Sequence, residues 1–256
     1  MGKPANRSAL APSGSVLPQP TKTESAQHQS SQSGRFNTVS KVPSSLMNLF
    51  SAATVLILVS EVVVAKKALI VIAPGFEEIE AVTVFRVLKS ANLQPTLVRL
   101  EGFADPMVEG ANGLSVRTDE ELKEEEANNY DLIVLPGGHG GTNAMKKSES
   151  LRRILESFVR DGKYIGAICL APSVLEHFNL LLNSKLTSYP SIENEMRRRY
   201  AYVKKSVVVD GQLITSRGPG TAMEFALKLV ELLAGKQNSN NIANNLVFNK
   251  RDEINP

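Results

Sequence analysis

The chain has 256 residues, 42% apolar and 21% charged, enough to bury a core in one large domain or two small ones. Its single cysteine, Cys169, excludes an intramolecular disulfide and a cysteine-rich zinc site. The net charge of +3 is unevenly placed: five of the 29 basic residues and two of the 26 acids fall in residues 1–65, which leaves residues 66–256 neutral. Basicity therefore gives no ground for nucleic-acid binding, and no nucleic-acid partner is expected.

Residues 1–45 are rich in Ser, Gln, Pro and Asn without periodicity and read as a disordered leader. Residues 46–65 form an apolar, signal-like segment. Its run from Leu49 to Val59 is too short to span a bilayer comfortably, and Glu61 interrupts its extension. Val63 and Ala65 place small residues at −3 and −1 of a cleavage before Lys66. The expectation is import through this leader, with the secretory route preferred, the mitochondrion next and the cytoplasm as the alternative. Met47 offers a second start.

From Lys66 the pattern becomes regular. "KALIVIAP" is a continuous apolar run ended by Pro-Gly, a buried strand. "EEIEAVTVFRVLKSAN" places Ile79, Val82, Val84, Phe85 and Leu88 on a helical face. "PTLVRL" and "YDLIVLPGG" are strands, and "SLRRILESFVRDG" is a helix with Leu151, Ile154, Leu155 and Phe158 inward and Gly162 as its stop. "KYIGAIC" and "KLTSYP" are strands, and "SVVVDGQLITS" is a hairpin turning at Asp-Gly. "TAMEFALKLVELLAG" is a closing helix, with a Thr221–Glu224 capping box and Gly235 as its end. Apolar strands alternating with helices predict an α/β domain over 66–238, a doubly wound, mostly parallel sheet with helices on both faces. Residues 239–256 are expected to be a C-terminal tail.

Ligands of such sheets bind at the carboxyl ends of the strands, and Cys169 lies at one of them, where strand turns to helix. This is the position of a nucleophile elbow, with the following helix aiming its amides at the sulfur and lowering its pKa. Position alone does not separate that reading from a small buried hydrophobe. Two other strand ends favour chemistry. The glycines of "LPGGHGG" allow close backbone approach and present N–H groups, without the spacing of a dinucleotide fingerprint or a P-loop. "APGFEEIE" supplies Glu77 and Glu78, which read as solvated first-turn acids, and Glu80, which can turn toward the crevice. The basic run Met196–Lys205 reads as a solvated face.

Together "APGFEEIEAV", "DLIVLPGG", "GAICLAPSVL", "LTSYP" and "LITSRGPGTAMEFAL" resemble the ThiJ/PfpI superfamily, in its Parkinson-disease-protein (deglycase) subgroup. The resemblance covers residues 67 to about 238. It implies a flavodoxin-like, class I glutamine amidotransferase-like sandwich and a homodimer, with no metal and no cofactor. It makes Cys169 the reactive thiol and Glu80 the acid that hydrogen-bonds it, protonated when the thiol is ionised. Gly138 and the amide of Leu170 become backbone donors near the sulfur, and Arg217 a pocket arginine.

The departures matter too. Leu170 stands where the peptidase-like branch has a histidine after the cysteine, which removes the Cys-His pair of a thiol protease. Tyr189 stands where the vertebrate-type branch has a histidine, and is retained as a substrate hydrogen-bonder. A second pocket arginine is replaced by Ala111. His139 is the one histidine near the predicted crevice, set against the reading of a surface loop residue; His177 fits a helix end. The resulting expectation is cysteine-dependent conversion of methylglyoxal to lactate and glyoxal to glycolate, deglycation of glycated proteins, or both. The alternatives are a redox-sensing protein or chaperone acting through Cys169 oxidation, and, after it, a cysteine peptidase.

Overall fold

The computed structural model describes residues 66–248. The expectations for residues 1–45 and 46–65, with the import route, lie outside the described residues.

Seven strands form the main sheet, in the order Val207–Asp210 (β10), Leu213–Ser216 (β11), Tyr164–Ile168 (β7), Leu132–Leu135 (β6), Lys67–Ile72 (β1), Gln94–Arg99 (β2) and Glu120–Glu121 (β5). Every neighbouring pair is parallel except β10 with β11. This is the mostly parallel, flavodoxin-like α/β sheet expected. The central strands are apolar throughout because both faces are covered. Ile70, Leu132, Val134 and Ile214 point into one core with Val84 and Leu88 of α1 (Glu78–Ser90) and Phe225 and Leu229 of α7 (Ala222–Ala234). Leu69, Val71, Ile133 and Leu135 alternate onto the other face. There they meet Leu151, Ile154, Leu155 and Phe158 of α4 (Glu149–Arg160) and Val174 of α5 (Pro172–His177).

Smaller elements decorate this frame. Met107–Glu109 (β3) and Ser115–Arg117 (β4) form an antiparallel hairpin, and Lys185–Leu186 (β8) pairs in parallel with Ala201–Tyr202 (β9). Short helices lie at Glu124–Ala127 (α2), His139–Met145 (α3) and Glu193–Met196 (α6). The basic run is anchored to acids: Arg197 and Lys204 both reach Glu193, at 2.8 and 3.1 Å, and Arg199 reaches Glu176 at 3.4 Å.

Four sequence expectations are corrected. Ile79 and Val82 are 57% and 44% exposed, because the core-facing stripe of α1 runs through Glu80, Ala81, Val84, Val87 and Leu88 instead. The Thr221–Glu224 capping box does not form. The Thr221 hydroxyl instead accepts the amides of Arg217 and Gly218, at 3.2 and 3.1 Å. In the hairpin, Asp210 is still paired with Leu213, so Gly211 and Gln212 make the turn. Packing does not stop at residue 238: Lys236–Asn245 (α8) folds back beside α7 and buries Ile242. Its polar sequence shows little apolar periodicity, which is why it reads as tail.

Candidate active site

Three chain segments converge on the sulfur. The first is the strand end itself. Cys169 has φ +63°, a left-handed conformation that costs a side-chain-bearing residue about 1–2 kcal/mol. The cost is sustained because the residue is tied on both sides: its N–H donates to Ser216 O at 3.0 Å and its carbonyl accepts from Tyr189 N at 2.8 Å. The elbow throws the thiol toward the crevice, yet the residue is only 6% exposed.

The second segment is the first turn of α1. Glu80 is fully buried in that turn, which places its carboxyl against the Cys169 thiol. Glu77 caps the helix, its Oε2 accepting Glu80 N–H at 2.8 Å. Glu78, read as solvated, is buried as well, its carboxylate accepting the backbone and side-chain amides of Asn112. These acids turn inward because the Pro74–Glu77 loop enters the crevice before the helix starts. Sequence periodicity carries no mark of that entry.

The third segment is the Pro-Gly-Gly turn after β6. Gly137 N–H donates to Glu80 Oε2 at 2.6 Å. A Cβ at Gly137 would lie 2.6 Å from Cys169 Cβ and 2.9 Å from Glu80 Oε2, so only glycine fits between acid and thiol. Gly138 has φ +90°. Its amide and that of Leu170 both favour the ionised sulfur. Gly137 was not singled out in the sequence, although its place in "LPGGHGG" was the available signal.

Burial pushes the Glu80 carboxyl up to about 8, opposed by the Gly137 amide and helped by the charge of Glu77. Burial also pushes the Cys169 thiol up, to about 12, and a charged Glu80 adds to it; the Leu170 and Gly138 amides oppose. The elbow was expected to lower the thiol pKa through its helix, but α5 begins only at Pro172 and burial outweighs it. The contribution from Glu80 requires an ionised carboxylate. The ionised carboxylate is penalised in this crevice, since its Oε1 is buried without a hydrogen-bond partner. A protonated Glu80 instead donates to the sulfur, and the repulsion disappears. We therefore assign the single remaining proton of the pair to Glu80, with the charge on sulfur.

Around this pair, Tyr189 is 43% exposed. Its ring edge lies 3.3 Å from where a Cβ on Gly218 would sit. Arg217, the neighbour of Gly218, is half-buried, and its Nε has no partner. The same Gly218 position is 4.0 Å from Glu80 Oε1. His139 is exposed at the start of α3, and among the described residues no hydrogen bond ties it to Cys169 or Glu80. Ala111 is exposed beside the β3–β4 turn and leaves no cation there. Among the described residues no group of three or more His, Cys, Asp or Glu side chains is arranged to hold a metal ion.

Residues 66–232 match the DJ-1/PfpI family. The chain is 42% identical over 184 residues to "Protein dj-1beta" of Drosophila melanogaster, covering 72% of this chain and 97% of that protein. It is 34% identical over 187 residues to "Glutathione-independent glyoxalase DJR-1.2" of Caenorhabditis elegans, covering 72% and 98%. The crystal structure of Drosophila melanogaster DJ-1beta superposes with a TM-score of 0.70 at 41% identity, over 73% of this chain and all of that one.

Glu80 has an ordinary value of 4.5 and a folded one of about 8. Its contribution to stability is therefore complete below 4.5 and is lost as pH rises through about 8. Denaturant unfolding between those limits is expected to show stability falling with pH in the native chain and a shallower fall in Glu80→Gln. Equal slopes in the two proteins would contradict the assignment.

Proposed function

Because the chain belongs to the DJ-1/PfpI family, we propose that it is a thiol-dependent enzyme of the glyoxalase type, acting on small reactive dicarbonyls without glutathione. The observation that carries this reading is the buried Cys169–Glu80 pair wedged by Gly137. A relative that bears glutathione-independent glyoxalase as its name supports it. The near-complete shielding of Cys169 favours a small planar substrate over an adduct on a folded protein.

The chemistry follows from the pair. The Cys169 thiolate attacks the aldehyde carbon of methylglyoxal, and the carbonyl oxygen takes the Glu80 proton, giving a hemithioacetal and a Glu80 carboxylate. That carboxylate removes the proton from the same carbon and passes it to the ketone oxygen, which yields an enediol. Glu80 then takes the proton of the aldehyde-derived hydroxyl and delivers it to the adjacent carbon, leaving a thioester of lactate. Water hydrolyses the thioester, releasing lactate and restoring the thiolate; of the two protons set free, one returns to Glu80 and one leaves to solvent. The aldehyde carbon is oxidised and the ketone carbon reduced, so no external electron acceptor enters. Gly138 and Leu170 amides hold the anionic sulfur, and Arg217 and Tyr189 orient the substrate oxygens.

We further propose a homodimer. Ile79 and Val82 on α1 and Met107 and Leu114 at the β3–β4 hairpin are exposed apolar side chains. They lie on elements that pack together through Ala81 and Val108. Such a patch fits a second copy of the chain.

Methylglyoxal turnover to lactate is expected to vanish in Cys169→Ala and to fall about 10²–10⁴-fold in Glu80→Gln. In the native protein kcat/KM falls at or above about pH 8, as Glu80 loses its proton. Lactate formation that survives Cys169→Ala contradicts the mechanism. Sedimentation of the native chain is expected to give a dimer and Val82→Asp a monomer; an unchanged species contradicts the apolar face as interface.

A further inference from the structure

A second crevice opens at the same edge of the sheet. The order β2-β1-β6-β7 reverses direction at β1: the chain steps from β1 to β2 on one side, then crosses to β6 and β7 on the other. Loops leaving strands at such a reversal diverge and leave a ligand-sized gap. Here the gap is a cavity of about 510 Å³, bounded by Pro74 after β1, Leu100 and Phe103 after β2, and Gly140 after β6. Neither Cys169 nor Glu80 lines it. Its size falls within the range of about 300–1,000 Å³ of small-molecule sites.

The lining carries one acid, one base and an apolar wall. Glu101 has one carboxylate oxygen hydrogen-bonded to the Ser148 hydroxyl, while its Oε2 is shielded and unpaired. A buried acceptor with no donor marks a place where a donor is missing. Lys147 and Asn143 are exposed on the α3 side of the same cavity, and Lys147 makes no ion pair among the described residues. Pro74, Leu100 and Phe103 supply the apolar surface.

We infer that this cavity is a binding site for a zwitterionic ligand of the amino-acid class. An ammonium group pairs with Glu101 after a small rotation of its carboxylate, a carboxylate pairs with Lys147 and Asn143, and an apolar side chain lies against Pro74, Leu100 and Phe103. A purely anionic ligand is repelled by Glu101, and a purely cationic one gains nothing from Lys147. The site shares backbone with the catalytic one. Gly140 is three residues from Gly137, and the Pro74–Gly75 turn it packs on leads directly to Glu77 and Glu80.

Calorimetric titration of the full chain with L-leucine and L-phenylalanine tests this. Saturable binding is expected, unchanged in Cys169→Ala, because the sulfur does not line the cavity. Isoamylamine and isocaproate, each lacking one of leucine's charges, are expected to bind about tenfold or more weakly. Glu101→Gln and Lys147→Met should each weaken leucine by a similar factor. Lys147 is exposed, so its variant tests the site even where Glu101→Gln fails to fold. Absence of binding, loss of binding in Cys169→Ala, or equal affinity for leucine and its single-charge analogues overturns the proposal.

Discussion

The contact on which the site depends is the one between the buried Glu80 carboxyl and the Cys169 sulfur. Two acidic groups in a dry crevice cannot both ionise cheaply, so whichever proton leaves first makes the other harder to remove. Gly137 keeps them that close, because any side chain there would overlap both. In the proposed mechanism the proton supplies the electrophilic push on a carbonyl, and the charge supplies the nucleophile. Neither residue alone does this: an isolated buried thiol stays protonated, and an isolated buried carboxyl has nothing to deliver its proton to.

The rest of the fold serves that contact. Parallel strands bring three loops to one edge, so residues at 80, 137 and 169 meet although they are far apart in sequence. The strained elbow persists because Ser216 and Tyr189 hold both backbone groups of Cys169. The Thr221 hydroxyl, diverted from helix capping, fixes the Arg217–Gly218 turn beside Glu80. Stability lost at one helix end is used to set a loop of the site.

The apolar runs and helical stripes made the sheet and its main helices legible, because burial on both faces leaves an unmistakable pattern in β1, β6 and β7. The strand-end cysteine and the glycine turn were legible for the same reason. What escaped were features without periodicity. The two-residue strands carry no pattern, α8 is polar over most of its surface, and Glu78 is buried only because Asn112 folds over it from a distant hairpin. The helix and amides that favour the Cys169 thiolate can be read from sequence, and the desolvation that opposes them cannot.

The order in which sulfur and carboxyl ionise is the point on which the mechanism turns. Cys169 is the only cysteine, so ultraviolet thiolate absorbance of the native chain, taken as a difference against Cys169→Ala, reports that one group. With the remaining proton on Glu80, thiolate appears before the carboxyl ionises, in the neutral range, and Glu80→Gln shifts its onset. A sulfur that stays silent until about 12 would mean that the carboxyl ionises first and that no thiolate is ready to attack.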